Sequence, residues 1–272
     1  MRLAGDGGNV EPAFLGVHQP MILRTLVRDC LFLNWAVPAE LLPPPPEPLR
    51  YEIHRAGTRS YVLVSALLFR QVGLRLARLP VARLSYPQCN VRAYVVDGEG
   101  LPAVWFWREL MPLWVVPGAR LLGRQPARAA RFAYPEPIAP GAVGPWRWDV
   151  RTGGAAGRLL ARAEPGSPAA PADGPVFPAW DALVEHLRQR PRGYALSPLG
   201  LERVSTSHPS VPVWPLRATV EDDSLVRAAV PGATPTSWPA LHSAWLCPEL
   251  PFLFEVVSLP EVAVPSQVPA AG

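Results

Sequence analysis

The chain has 272 residues, 49% of them hydrophobic and 18% charged, which is enough to bury a sizeable core in one large domain or two small ones. All 26 basic residues are arginine, so the chain contains no lysine, and the 22 acidic residues are interleaved with them to leave a net charge of +4. Coding bias towards GC-rich codons explains the missing lysine without appeal to function. Because the arginines occur singly, we expect no nucleic-acid partner.

The three cysteines, Cys30, Cys89 and Cys247, are far apart and form no CxxC pair. This spacing argues against a zinc site and against a disulfide framework, so a reducing, cytoplasmic location is expected. Residues 1–10 are polar and glycine-rich, unlike a signal peptide. A membrane segment is not expected either, because apolar runs are interrupted by charges and prolines well before about 18 residues.

In the first part of the chain, residues 1–20 predict a loose lead-in, and the apolar run 28–35 fits a strand or a buried helix. Residues 37–42 predict a helical turn that ends at four prolines. Alternation with a period of two then predicts two hairpins. The hairpins pair 51–53 with 60–69, and 90–96 with 103–107 across a turn at 97–100.

Further along, residues 110–122 predict a helix capped by Gly123, and apolar residues at helical spacing predict a second helix from Trp180 to Leu187 that ends before Pro191. Residues 165–175 predict a flexible insert, and 263–272 a frayed tail. Additional strands are predicted at 128–134, 145–151, 158–164, 194–196, 201–207, 215–220, 241–246 and 252–259.

These elements predict a mainly β chain with a few helices. Hairpins dominate and alternating β-α-β units are not apparent, which favours an antiparallel sheet curled into a barrel or cone with the helices outside. Neither half of the chain has a closed set of strands, so a single domain over 21–262 is expected.

Standard motifs for dinucleotide, nucleoside triphosphate, zinc-protease or serine-hydrolase chemistry are missing. The five histidines have no histidine partner two or four residues away. We therefore expect no cofactor and no locally encoded metal site, although ligands from distant segments could still converge on a metal.

The central hairpin carries the candidate site. Asn90, Arg92 and Tyr94 alternate and so share one face of a strand, where an arginine could hold a carboxylate with two hydrogen bonds. Trp105 and Trp107 on the return strand could supply apolar walls. The alternatives are a solvent-facing strand for Arg92 and core packing for the two tryptophans, the latter being favoured.

Several segments together resemble one family. They occur in order from about residue 22 to 260: Arg28–Trp35, Tyr86–Val95, Val104–Trp107, Gly118–Leu122 before Pro126, His242–Trp245 and Phe254–Val256. The chain resembles the uncharacterised YqjF-like family, a branch of the acetoacetate decarboxylase-like superfamily. The resemblance implies a mainly antiparallel β barrel or cone around a buried pocket.

The resemblance also marks a difference in chemistry. In the decarboxylase branch a glutamate follows a Pro-aromatic pair, and here Asn90 takes its place. The reactive lysine of that branch falls on Ala127 or Arg128, and neither side chain can form an imine. The resemblance and the residues together predict a pocket in which Arg92 and Arg128 hold an anionic group, Asn90 donates to a carbonyl oxygen, and His242 or Glu255 moves a proton.

Three functions follow, and the first two share the same kind of partner, a small organic molecule that can be an anion. The first is an enzyme acting on small organic acids or carbonyl compounds without Schiff-base chemistry, and the alternative is a non-catalytic binding or sensing module. A structural, homo-oligomer-forming role is the third. An enzyme should place a group with a strongly perturbed pKa beside the pocket, whereas a binder need not.

Overall fold

The computed structural model describes residues 21–76, 79–123, 125–153, 157–166, 180–188, 190–197, 200–230, 233 and 238–258. The predicted lead-in at 1–20, residues 167–175 of the predicted insert and the predicted tail at 263–272 lie outside these ranges. None of the described helices is long and apolar enough to cross a bilayer.

Strands make up most of the described residues. They are β1 (Met21–Pro38), β2 (Arg50–Tyr51), β3 (His54–Ala56), β4 (Arg59–Leu76), β5 (Leu79–Val96), β6 (Pro102–Met111), β7 (Ala127–Ala133), β8 (Trp146–Thr152), β9 (Arg158–Pro165), β10 (Arg192–Ser197), β11 (Gly200–Ser207), β12 (Trp214–Asp222) and β13 (Leu241–Ser258). The helices are a 3-10 turn (Ala39–Leu41), α1 (Val116–Gly123), α2 (Trp180–Arg188) and α3 (Ser224–Arg227).

The described strands form one 13-stranded sheet that closes on itself twice. Strands β13, β1, β4, β5 and β6 are neighbours in that order and form the shared central sheet. One circuit closes from β6 through β10 and β11 back to β13, and the other closes through β7, β8, β9 and β12. The prediction of a mainly β, cone-like closed sheet is confirmed.

Strands of the central sheet are buried on both faces because each circuit has its own interior. Along β1, Leu31, Leu33 and Trp35 face the larger cluster, here called the main core, which also contains Trp148 of β8. Phe32, between them, faces a second cluster under α2, here called the cavity cluster. This double burial explains why the run at 28–35 is apolar without alternation.

Four predictions about elements need correction. The hairpin that was predicted to pair 51–53 with 60–69 is wrong in its first strand: residues 50–51 pair with β5, and the strand that turns back onto β4 is β3. The sheet is mixed, because β6 pairs in parallel with both β7 and β10, and α1 makes β6-α1-β7 a β-α-β connection. The predicted helix 110–122 is wrong at its start: Leu110 and Met111 end β6, and α1 begins at Val116. Pro112 cannot continue a helix, whereas Pro117 fits the first turn.

The strands predicted at 241–246 and 252–259 are one strand, β13. It pairs with β1 throughout, but on its other side it meets β12 only at 244–246 and β11 only at 253–258. Pro248 and Pro251 fall between those two stretches, where a missing N–H costs no ladder hydrogen bond on that side.

Gly157 offers a test of how α3 packs on β9. Its φ is +94°, and a Cβ atom there would lie 2.6 Å from the Leu225 backbone nitrogen. Gly157→Ala should lower the free energy of unfolding by about 3 kcal/mol, combining backbone strain with the steric overlap. Gly100 also has a positive φ but open space around it, so Gly100→Ala should cost only the strain. Equal losses in urea unfolding would contradict this packing.

Candidate functional site

The candidate site is a cavity of about 410 Å³ between the central sheet, α1, α2 and β11. Its walls are mostly apolar, with Phe32, Phe69, Phe106, Phe252, Phe254, Trp114 and Trp245 among the aromatic residues. Polar side chains include Gln71, Gln88, Asn90, Arg92, Glu109, Gln125, Arg188 and Arg190. An apolar enclosure with a few converging polar groups is the usual form of a small-molecule site.

A bulge in β6 brings a carboxyl group into this cavity. Val104 and Phe106 line the cavity, as alternate residues should, and continued alternation would next place Arg108 there. Instead the register shifts: Arg92 pairs with Phe106 while Val91 pairs with Arg108, leaving Trp107 as the extra residue. The shift reverses the phase of the strand, so that Glu109 lines the cavity opposite Asn90.

Glu109 is only 4% exposed, and burial raises the pKa of its carboxyl group from 4.5 to about 7. Its Oε2 atom has no hydrogen-bond partner among the described residues. Tyr86 is near enough that the charge of Glu109 adds to the effect of burial in raising the tyrosine pKa. A buried acid that is half-protonated near neutral pH can both donate and accept a proton.

A chain of amides fixes the wall next to Glu109. Gln71 Nε2 donates to Gln88 Oε1 over 3.2 Å, and Gln88 Nε2 donates to Asn90 Oδ1 over 2.9 Å. Because the Asn90 carbonyl already accepts from Gln88, its amide N–H group is the one left to donate to a ligand.

Arg92 presents a cation to the same cavity. Its guanidinium lies 5.5 Å from the centre of the Phe32 ring and 5.4 Å from that of Tyr94, and Nη2 donates to the Tyr94 hydroxyl over 3.3 Å. Its Nε is buried without a hydrogen-bond partner, and no carboxylate among the described residues pairs with it. A ligand anion would supply the missing partner.

A histidine and glutamate cluster lies beside the cavity wall. Ligand atoms of Glu52, His54 and His186 all lie within 4.8 Å of one another, and burial lowers the pKa of both histidines, which favours the neutral form that binds metals. Arg190 already donates to Glu52 Oε2 over 2.6 Å and contacts the His186 ring. That cation would repel a metal ion, so the cluster is better suited to holding Arg190 and α2 in place.

Only some of the site residues that were predicted from the sequence line the cavity. Asn90 and Arg92 line the cavity, and Tyr94 lies behind Arg92 with no exposed surface. Trp105 packs with Tyr194 in a separate cluster. Trp107 is the bulged residue and packs beside that cluster and the main core.

The remaining predicted residues do not line the cavity either. Arg128 is exposed on β7. Glu255 is half-buried on β13, on the face opposite the cavity-lining Phe252 and Phe254. His242 is 8% exposed, and burial lowers its pKa.

Buried hydrogen bonds nevertheless connect His242 to Arg92 across the central sheet. The chain runs from His242 through Ser243, Asn34, Ser65 and Tyr94 to Arg92, with separations of 3.2, 3.1, 2.6, 3.0 and 3.3 Å. These hydrogen bonds satisfy polar groups that would otherwise be buried in the apolar interior without partners. They also fix the Tyr94 hydroxyl, which accepts the hydrogen bond from Arg92.

A family model described as an uncharacterized conserved protein (COG2071), DUF2071, matches residues 25–247. The chain belongs to this family. The match confirms the resemblance seen in the sequence. No curated protein matches the chain.

Solved structures show which fold this family adopts here. The chain is similar to an acetoacetate decarboxylase-like enzyme from Sphingomonas wittichii RW1, with 16% identity, 93% of this chain and 96% of that chain covered, and a TM-score of 0.52. It is also similar to the enduracididine biosynthesis enzyme MppR complexed with pyruvate, with 12% identity, the same coverage and a TM-score of 0.52. These similarities establish the acetoacetate decarboxylase-like fold.

Burial of Glu109 should make the free energy of unfolding depend on pH. Its pKa is about 7 in the folded chain against an ordinary 4.5, so folding favours the protonated form. Its stabilising contribution is complete below about pH 4.5 and is lost as the pH rises to about 7, a fall of about 3 kcal/mol in the free energy of unfolding. Glu109→Gln cannot ionise and should lack this fall.

Urea unfolding of both proteins between pH 4.5 and 7.5 tests this, because other groups cancel in the difference. Glu40→Gln, which alters an exposed carboxyl, should follow the native pH dependence. Parallel curves for native protein and Glu109→Gln would show that Glu109 ionises normally.

Proposed function

We propose that the chain is an enzyme that moves a proton on a carbonyl-containing organic acid, without an imine intermediate. The observation that carries this proposal is the Glu109 carboxyl, which is buried on the cavity wall with a pKa of about 7 and a free oxygen. A binding module gains nothing from burying an unpartnered acid, which costs stability. General acid–base catalysis requires such a group.

Three polar groups on the wall have a role in this proposal. Arg92 binds the carboxylate of the substrate, and the Asn90 amide donates to the carbonyl oxygen, where negative charge develops. Ionised Glu109 removes a proton from the carbon next to the carbonyl, giving an enolate whose oxygen accepts a hydrogen bond from the Asn90 amide, and protonated Glu109 returns the proton to the same or another atom. The electron pair of the broken C–H bond becomes the C=C bond, and the π pair of the carbonyl moves onto its oxygen.

This chemistry fits the absence of lysine. Ala127, at the position implied for the reactive lysine, is fully buried against Tyr86 and Met111, and Arg128 is exposed and does not line the cavity. The similar structure of MppR was solved with pyruvate, a carbonyl-containing acid, which supports the proposed substrate class. The cytoplasmic location and a single domain over 21–262 stay predictions.

Hydrogen exchange tests the proposal without a known product. In D₂O, the protein should speed replacement of the α-hydrogens of 2-oxo and 3-oxo acids, followed by proton NMR against a protein-free control. The rate should rise with pH and level off above about 7, as Glu109 ionises. Glu109→Gln should reduce it about a hundredfold or more. If the acids bind but exchange at the protein-free rate, the chain is a binding module.

Arg92 should determine the preference for anions. Arg92→Leu should weaken binding of carboxylates about ten- to a hundredfold, the usual effect of losing a charge-assisted hydrogen bond, and should leave the corresponding methyl ketones unaffected. Arg128→Leu removes the same charge from the surface and is the matched control. Calorimetric titration measures both; equal losses in the two variants would mean that only overall charge matters.

A further inference from the structure

We infer that the substrate is an amphipathic acid with an extended alkyl or aryl body, whose polar end meets Arg92 and Glu109 and whose apolar end points towards α1. This inference rests on the proposed function, because it places the ligand in the same cavity, and it adds the size, polarity and direction of the molecule.

The volume of the cavity indicates the size of the ligand. A cavity of about 410 Å³ holds about a dozen non-hydrogen atoms at roughly 30 Å³ each, as judged from the volume of liquid water. A three-carbon oxo acid has half that number. It would leave much of an apolar enclosure unfilled, with lost dispersion contacts along the walls.

The residues of the cavity walls indicate the polarity of the ligand. Phe32 stacks on Trp245 with ring centres 3.5 Å apart, and Phe252 stacks on Phe254 with ring centres 4.7 Å apart, so the aromatic wall is packed and presents apolar surface. Of the groups proposed for catalysis, Asn90 and Arg92 are on β5 and Glu109 is on β6, and the Arg92 guanidinium lies 5.5 Å from the Phe32 ring. A ligand that meets both these polar groups and the aromatic surface has one polar end and a large apolar remainder.

The exposure of residues along β5 indicates the direction in which the ligand lies. Alternate residues of this strand line the cavity, and they pass from 7% exposed at Asn90 to 44% exposed at Leu84. The opening is therefore near Leu84 and Trp114, which is 59% exposed. Arg92 lines the cavity at the other end of this stretch of β5, where Leu187 of α2 also lines it. The apolar body of a bound ligand must extend from Arg92 towards this opening.

Gly118 of α1 lines this part of the cavity and provides a way to shorten it. A Cβ atom at Gly118 would meet nothing within 4 Å, and its φ is not positive, so larger residues fit without strain. Gly193 also lines the cavity, but a Cβ atom there would lie 2.5 Å from Phe106. A side chain introduced at Gly118 therefore starts in open space beside the cavity, and we expect it to shorten the cavity.

The test is calorimetric titration with unbranched carboxylates from butanoate to decanoate. Binding should tighten about threefold to fourfold for each added methylene, as expected for burial of apolar chain, until the chain fills the cavity. Gly118→Phe should end this gain several carbons earlier and leave butanoate binding unchanged. Gly153→Phe is the control, because Gly153 is exposed, does not line the cavity and also has open space for a Cβ atom, and it should behave like the native chain. Affinity that is flat or falls with length, or a cutoff that Gly118→Phe does not move, would overturn the inference.

Failure of the proposed function is a separate result. Glu109→Gln should keep the same dependence on chain length, because that dependence comes from the apolar walls. If the native chain shows this dependence but no hydrogen exchange, the ligand class stands and the catalytic proposal falls. If exchange occurs with short oxo acids and longer chains gain nothing, the ligand class is refuted and the catalytic proposal stands.

Discussion

The architecture depends on the burial of the central sheet on both faces. Strands β13, β1, β4, β5 and β6 belong to two closed circuits, so each has the main core on one side and the cavity cluster on the other. Any polar side chain there needs an internal partner. Asn34, Ser65 and Tyr94 meet this requirement by bonding to one another, and the last of these bonds carries through to Arg92. The position of Arg92, which faces the ligand, is therefore fixed by hydrogen bonds inside the core behind it.

One extra residue in β6 determines the chemistry of the cavity. Without the bulge at Trp107, the strand would place Arg108 on the cavity face and Glu109 in the main core. With it, a carboxyl lies on an apolar wall where burial disfavours its charge. Arg92 is two residues along β5 from Asn90, the partner of Glu109, and its charge has no carboxylate partner among the described residues. On the proposed function, an anion-binding group and an acid near neutral pKa lie side by side because of a single register shift.

The sequence was informative where local alternation decides the outcome. Asn90 and Arg92 were predicted to share a face, and both line the cavity, because β5 keeps its period of two through that stretch. The same reasoning failed to select Glu109, since alternation from Phe106 does not lead to it and no residue type marks a bulge. Arg188 and Arg190 reach the cavity only because α2 folds over it, a tertiary placement that no local pattern encodes. Double burial likewise erased the alternation that would have shown β1 to be 18 residues long.

The absence of lysine is consistent with the chemistry that the cavity offers on the proposed function. An imine lowers the barrier to carbanion chemistry by giving the electron pair a cationic nitrogen to enter. A cavity without that amine must stabilise the same electron pair as an enolate, through hydrogen bonds to the carbonyl oxygen and a base beside the C–H bond. Such interactions are strongest where water is excluded, and apolar walls exclude it best when a ligand fills them. The large apolar cavity and the buried Glu109 therefore support the same proposal: an extended apolar ligand would complete the dry environment in which a carboxyl group, rather than an amine, transfers the proton.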